Sequence, residues 1–186
     1  MSKINFKPGN MLYPLPVVMV SCGNINGFSN IITVAWTGTI CTNPPMVYIS
    51  VRPERHSYNI IKNSGEFVIN LSTKNLAHAT DFCGVRSGKD IDKWQACGLT
   101  KEAADTVKCP MVKESPVNIE CHLTEIKELG SHHMFIADVT AIHASTEYMD
   151  KNNKFHLNNS GLIAYSHGSY FSLGNQAGTF GFSVKK

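Results

Sequence analysis

The chain has 186 residues, 42% hydrophobic and 17% charged, with a formal net charge of +3; this suits one ordered domain over residues 1–186 with a well-buried core, and excludes disorder. The charge is spread without a basic run, which argues against a nucleic-acid surface. No apolar run reaches the ~18 residues that span a bilayer, and Pro14 and Pro16 interrupt LYPLPVVMV where a signal core would stand, so a cytoplasmic protein is expected.

PLPVVMVSC (Pro14 to Cys22) is an apolar run, and GNINGFSN after it carries the Gly and Asn residues of a tight turn. A hairpin into NIITVAWTGT (Asn30 to Thr39) follows, read as one strand because branched residues alternate with Thr and small residues. The turn CTNPP ends that strand, since proline donates no ladder hydrogen bond. MVYISV (Met46 to Val51) resumes β. RPERHS then opens a helix through Tyr58, Ile60 and Ile61 that stops near Gly65.

EFVINL (Glu66 to Leu71) returns to strand. STKNLAHATDF has helical spacing in Leu76, Ala79 and Phe82, with Ser72 or Thr73 as the N-cap. The glycine-punctuated CGVRSGKDIDKWQACGLT reads as a loop with a short helix around Asp90 to Trp94. PVNIECHLTEIKEL and HMFIADVTAIHAS alternate as two long strands joined at ELGSHH. GLIAY is a short apolar run, and QAGTFGFSVKK, without periodicity, is expected to pack over the barrel or a partner subunit. Seven or so antiparallel strands and few short helices make the fold mainly β, a Greek-key barrel.

The chemistry concentrates near Arg55. Arg52, Arg55 and Ser57 stand around a helix entry, where two guanidiniums, a hydroxyl and unpaired N–H groups make a site for a phosphate dianion. There is no GxGxxG, no GxxxxGK[ST], no GxSxG and no HExxH, so Rossmann, P-loop and hydrolase readings lack support. The six cysteines form no CxxC and read as free, mostly buried thiols, and the eight histidines show no metal-like clustering.

SNIITVAWTGT, the NPP turn, VRPERHSYNIIKNSGEFVINL, SGKDIDKW and SHHMFIADV together resemble the flavin reductase-like, FMN-binding split-barrel family, and within it the flavoredoxin type. The resemblance covers most of residues 15 to 165 in order. It implies an FMN-binding split β-barrel, homodimeric, passing electrons through FMN from NAD(P)H or a redox protein. It implies that Arg55 and Ser57 lie at the phosphate, that Lys93 approaches the cofactor, and that Asn30, Thr33, Ala35, Trp36 and Thr37 contact the ring. Where the family often has two small hydroxyl residues this chain has Ala35 and Trp36, which leaves backbone amides to do that work. Cys41, in the loop before NPP, is expected to face the flavin. Tyr165 matches an aromatic position near the ring. HxxxxA, matched to the family's HxxxxG, selects His132 over His133 as the residue that binds a nicotinamide or delivers a proton, its ordinary pKa lying near neutrality. The alternative is a non-catalytic flavin-binding or storage module, or a binder of another ligand such as haem; a regulatory interaction domain with an empty pocket is a third reading.

Overall fold

The computed structural model describes residues 1–184. Twelve strands and three α-helices run in the order β1 (Leu15–Pro16), β2 (Val18–Gly23), β3 (Ser29–Val34), β4 (Thr37–Cys41), β5 (Met46–Val51), α1 (His56–Ser64), β6 (Glu66–Leu71), α2 (Ala77–Val85), α3 (Lys93–Cys97), β7 (Lys101–Glu102), β8 (Met111–Val112), β9 (Val117–Leu129), β10 (His132–Ala144), β11 (Ile163–Ser166) and β12 (Ser169–Ser172). No helix among the described residues is long and apolar enough to cross a membrane.

Seven strands form one antiparallel sheet in the order β3-β2-β6-β9-β10-β5-β4. Its two edge strands, β3 and β4, are consecutive in the chain and separated only by Ala35 and Trp36. A link that short forces the sheet to curl until its edges meet there, and Ser50 N, donating to Trp36 O at 2.8 Å, carries the β4–β5 pairing back into the bend. The sheet is therefore a barrel closed at that point and split elsewhere. The single strand expected over Asn30 to Thr39 is thus two strands. The alternating pattern continues through the bend, but β3 pairs with β2 and β4 with β5, so the chain changes partner at Ala35.

Val18, Val20 and Cys22 point into the barrel with Ile32, Ile49, Phe67 and Phe135, and α1 lays Tyr58 and Ile61 on the same cluster. Met19 and Ile31 face outward, yet α2, α3 and the 3₁₀ turn before α2 cover them with Leu76, Ala79, Cys83 and Trp94. Burial on both faces explains why β2 opens on a continuous apolar run, Val18–Val20, with no alternation.

Local signals set several boundaries. Gly65, left-handed at φ 69°, ends α1 by donating to Ile61 O. The short helix expected at Asp90 to Trp94 lies later, at Lys93–Cys97, because the Asp92 carboxylate accepts from Trp94 N and Gln95 N and so caps it there. Thr73 caps only a 3₁₀ turn, with no side-chain bond, and the α-helix begins at Ala77; the Ser72 hydroxyl accepts instead from Thr80 Oγ1 at 2.9 Å. GLIAY becomes β11, and a turn through His167 (φ 48°) and Gly168 (φ 79°) leads back as β12, forming with β1 a small sheet that periodicity did not reveal. The described part of the tail leaves Phe180, Phe182 and Val184 exposed, so these side chains do not pack on the barrel; Lys185 and Lys186 lie outside the described residues. All six cysteines are unpaired, and Cys22, Cys83, Cys109 and Cys121 are buried.

Candidate functional site

Two hollows lie end to end where the barrel closes. The first, about 340 Å³, has a floor from β3 and the bend after it (Ile32, Thr33, Ala35, Trp36), and walls from Arg52, Asp81, His132, Tyr165 and Tyr170. The second, about 230 Å³, is bounded by Asn30, Arg55, Ser57, Arg86, Ser87 and Lys93. Ile32 and Arg55 line both, so the two form one trough. Their joint volume falls within the range of about 300–1,000 Å³ usual for small-molecule sites.

The first hollow is aromatic and polar by turns. Trp36 and His132 lie nearly parallel, ring centroids 5.8 Å apart and planes 9° apart. His132 Nδ1 is engaged by Ser131 Oγ at 3.0 Å, and burial, with Arg52 adding repulsion, holds its pKa below the ordinary histidine value. That shift favours the neutral ring. His133, one residue on, turns away and pairs its Nδ1 with the Tyr58 hydroxyl at 2.8 Å. Opposite, Tyr165 and Tyr170 pack at 5.8 Å, and the Tyr170 hydroxyl donates to Asp81 Oδ1 at 3.0 Å, clasping the β11–β12 hairpin to α2. Burial first, then the Asp81 carboxylate, pushes the Tyr170 pKa up to about 12.

The second hollow is cationic. Arg55 is the N-cap of α1 in extended geometry, with no side-chain cap bond and no acidic residue in the first turn, so the helix presents first-turn N–H groups to an anion. Ser57, buried under the helix start, accepts from Asn30 Nδ2 at 2.9 Å, which leaves its own hydroxyl hydrogen to donate. Glu54 is the one carboxylate lining this hollow, and it is paired with Arg52 at 2.7 Å. Gly88 is required here, since a Cβ would collide with the Asn30 side-chain amide. Lys93 is buried beneath the floor, where its Nζ donates to Ile31 O and Cys83 O, both at 2.8 Å, tying β3 to the end of α2. That burial lowers its pKa, with Arg55 adding to the effect and the neighbouring thiols opposing it.

Of the residues singled out in the sequence, Thr33, Ala35, Trp36, Arg55, His132 and Tyr165 line the first hollow, and Asn30, Arg55, Ser57 and Lys93 the second. Thr37 and Cys41 line neither. The Thr37 hydroxyl is used inside the β4–β5 ladder, donating to Tyr48 O at 2.7 Å, and Cys41 sits opposite Met46 at the far end of β4. Sequence reasoning missed Arg86, Ser87, Asp81 and Tyr170. Arg86 and Ser87 had a signal, standing directly before the Gly88-Lys89 turn; Asp81 and Tyr170 had none, since only the hairpin's return brings them together.

The residues fit a phosphorylated flavin. Guanidinium, hydroxyl and amide donors without protein acceptors suit a phosphate, and aromatic rings beside the bend after β3 suit a planar ring system.

Comparison with known proteins agrees with this chemistry. The family model described as "Flavin reductase like domain" matches residues 10–174. A flavin reductase of Pseudomonas putida is 26% identical over 136 residues, covering 73% of this chain and 76% of the relative. Flavoredoxin of Desulfovibrio vulgaris (Miyazaki F) superposes with a TM-score of 0.89 at 25% identity, covering 100% of both chains. Flavoredoxin from Methanosarcina acetivorans superposes at 0.90 with 24% identity, covering 100% of this chain and 98% of the other. A split barrel with a cationic helix entry, matched by one family model over nearly its whole length, places the chain in the flavin reductase-like family, whose members belong to flavin-related oxidoreduction.

Proposed function

We propose that the chain binds FMN in the trough and passes electrons through it between a donor and an acceptor, as a homodimer in the cytoplasm. The carrying observation is the polarity of the trough: an aromatic hollow leads without interruption into a cationic one at a helix start. Arg55, Ser57, Arg86, Ser87 and the α1 amides would hold the phosphate. Trp36, Tyr165 and the Ala35–Trp36 bend would orient the ring, the bend standing outside both strand ladders with its backbone groups free for a ligand, except Trp36 O. Bound FMN supplies reversible electron or hydride transfer.

The chain's own part in the chemistry is binding, orientation and proton handling. Burial favours the neutral form of His132 and Ser131 engages its Nδ1, so Nε2 is the atom at which it would exchange a proton with bound substrate. The cationic lining stabilises negative charge that builds on a reduced ligand. Unpaired cysteines agree with a reducing compartment. The homodimer is supported by apolar side chains left uncovered on both terminal segments, Ile4, Phe6 and Leu12 at one end and Phe180 and Phe182 at the other.

The test is the visible spectrum of the purified protein, with identification of the flavin released on denaturation. FMN at about one per chain supports the reading, and a colourless protein that takes up no added FMN sinks it. Bleaching of the bound flavin by NADH, NADPH or a reduced redox protein then separates an electron-transfer protein from a storage module.

A further inference from the structure

The ends of α2 and α3 meet beside the cationic hollow, and each carries a cysteine there. Cys83, buried in the last turn of α2, lines that hollow. Cys97, the last residue of α3, is half-buried and packs against the apolar cluster to which Cys83 belongs. The two thiols interact across the helix contact, Cys83 as donor and Cys97 as acceptor. Lys93 stands beside both, its Nζ bonded to the Cys83 carbonyl at 2.8 Å. Among the described residues no third histidine, cysteine or carboxylate joins them at ligand distance, so the pair is a dithiol and not a metal site.

The chain between these cysteines is one wall of the hollow. From Cys83 it runs through Arg86, Ser87 and Gly88 to Lys93, all of which line the hollow, before it reaches Cys97. A bond between the two sulfurs would close that run into a ring. Closing a loop restricts the chain it encloses, and donors already held in place bind an anion with less ordering left to do. The two thiols differ in a way that assigns their roles. Burial pushes the Cys83 thiol up to about 12, with Cys97 adding to the effect and Lys93 opposing it. Burial raises Cys97 as well, but the bond from Cys83 and the Lys93 charge both favour its thiolate. Cys97, the more exposed of the two, is therefore the attacking thiol and Cys83 the resolving one.

We propose that Cys83 and Cys97 form a reversible disulfide that clasps the wall of the cationic hollow and slows release of the anion held there. The identity of that anion rests on the flavin reading above; the disulfide does not. The oxidant is hydrogen peroxide. The Cys97 thiolate attacks one peroxide oxygen, the O–O bond breaks and hydroxide leaves, so that Cys97 becomes a sulfenic acid. The Cys83 sulfur then attacks the Cys97 sulfur, the S–O bond breaks, and water leaves with the Cys83 proton. The two thiols lose two electrons in all, and the peroxide, reduced to water, takes them. A small dithiol reverses the bond by exchange.

The experiment treats the purified chain with hydrogen peroxide, then counts thiols after denaturation, maps the linked peptides and measures the rate of FMN release. Two of the six thiols should be lost, joined as Cys83 to Cys97 and recovered with dithiothreitol, and neither Cys97→Ser nor Cys97→Ala should form the link. Because Cys97 must ionise, the oxidation rate should rise about tenfold per pH unit through the neutral range. FMN should leave the oxidised chain about threefold to tenfold more slowly than the reduced one, with no effect of peroxide on release from the two variants. A different linkage, or oxidation of Cys97 to its sulfinic acid with the Cys83 thiol intact, overturns the proposal. So does the expected linkage with FMN released as fast as before. If neither form binds FMN, the flavin reading fails on its own, and inorganic phosphate replaces FMN as the probe on which the clasp stands or falls.

Discussion

Two polar regions lie in this barrel, and they are built on opposite rules. On β9 the Glu120 carboxylate is fully buried, and it accepts from Asp105 N, Thr106 N, Thr106 Oγ1 and His143 Nε2. Every strong partner it needs is supplied by the chain. Around Arg55 the inventory is reversed: guanidiniums, a serine hydroxyl and helix amides converge on a hollow whose one carboxylate, Glu54, is paired with Arg52. A buried polar group whose bonds are all met holds the fold, whereas converging donors left unmet describe a ligand. The Asp105, Glu120 and His143 ligand atoms lie within 4.8 Å of one another, but the Glu120 oxygens are already occupied by protein donors. That cluster belongs with the structural class.

The largest effect should come from breaking the satisfied region. Glu120→Ala removes the shared acceptor of two part-buried amides, a hydroxyl and the His143 ring, and is expected to cost on the order of 3 kcal/mol of stability, read by urea unfolding. The bonds to Glu120 hold its pKa down to about 2 despite the burial that opposes them. A carboxyl depressed in the folded state contributes stability that is complete above its unfolded pKa and is lost as the pH falls through the range from about 4.5 towards 2. Stability of the natural protein should therefore drop across that window, and Glu120→Gln should flatten the drop. An unchanged acid profile in Glu120→Gln would show that the carboxylate is not what the fold loses.

Breaking the open region should change binding and leave stability nearly alone. Arg55→Ala or Arg86→Ala is expected to weaken FMN by about tenfold to a hundredfold, one charge-assisted bond's worth, with riboflavin little affected because it lacks the phosphate. Calorimetry with both ligands checks it, and equal loss for the two would move the phosphate elsewhere. Lys93 sharpens the comparison because it lines the cationic hollow while spending two donors on backbone carbonyls. Lys93→Met should lower the melting temperature by several degrees and weaken FMN and riboflavin alike, as an anchor of β3 to α2 would. A loss confined to FMN would instead make it a phosphate ligand.

The same contrast explains what could be read from the sequence. The long β9–β10 hairpin was legible because Val117, Ile119, Cys121 and Leu123 alternate with polar residues and a second long apolar-rich strand follows Gly130, a left-handed turn residue at φ 51°; the register shifts at Ile136/Ala137 and Val139/Ala141 were not. Arg55 and Ser57 were legible because the helix entry that positions them is local in sequence. The break at Ala35 was not, because the alternating pattern carries straight through it and only the choice of partner strand changes. Thr37 and Cys41 suit a polar lining by residue type, yet the ladder claims one hydroxyl and strand length carries the thiol away from the trough. Arg86 and Tyr170 enter from the end of α2 and from a hairpin more than eighty residues later, and no periodicity reports such a meeting.

The smallest expected effect tests whether the hairpin shapes the trough or merely borders it. Tyr170→Phe keeps the ring and deletes the hydroxyl that donates to Asp81. The bond is partly exposed, so the stability change should be about 1 kcal/mol or less. Two readouts then carry the distinction. Free of its partner, the Asp81 carboxylate gains freedom at the wall of the aromatic hollow, and the absorption band of the bound flavin should shift while its affinity falls only about twofold to fivefold. In the natural protein the Tyr170 phenol, raised to about 12, should remain protonated as ordinary tyrosines ionise near pH 10 in a spectrophotometric titration. Its late titration step should vanish in Tyr170→Phe. If that step vanishes without any change in the flavin band, the clasp holds the hairpin to α2 but leaves the ligand untouched, and Tyr170 joins Glu120 among the residues whose bonds serve only the fold.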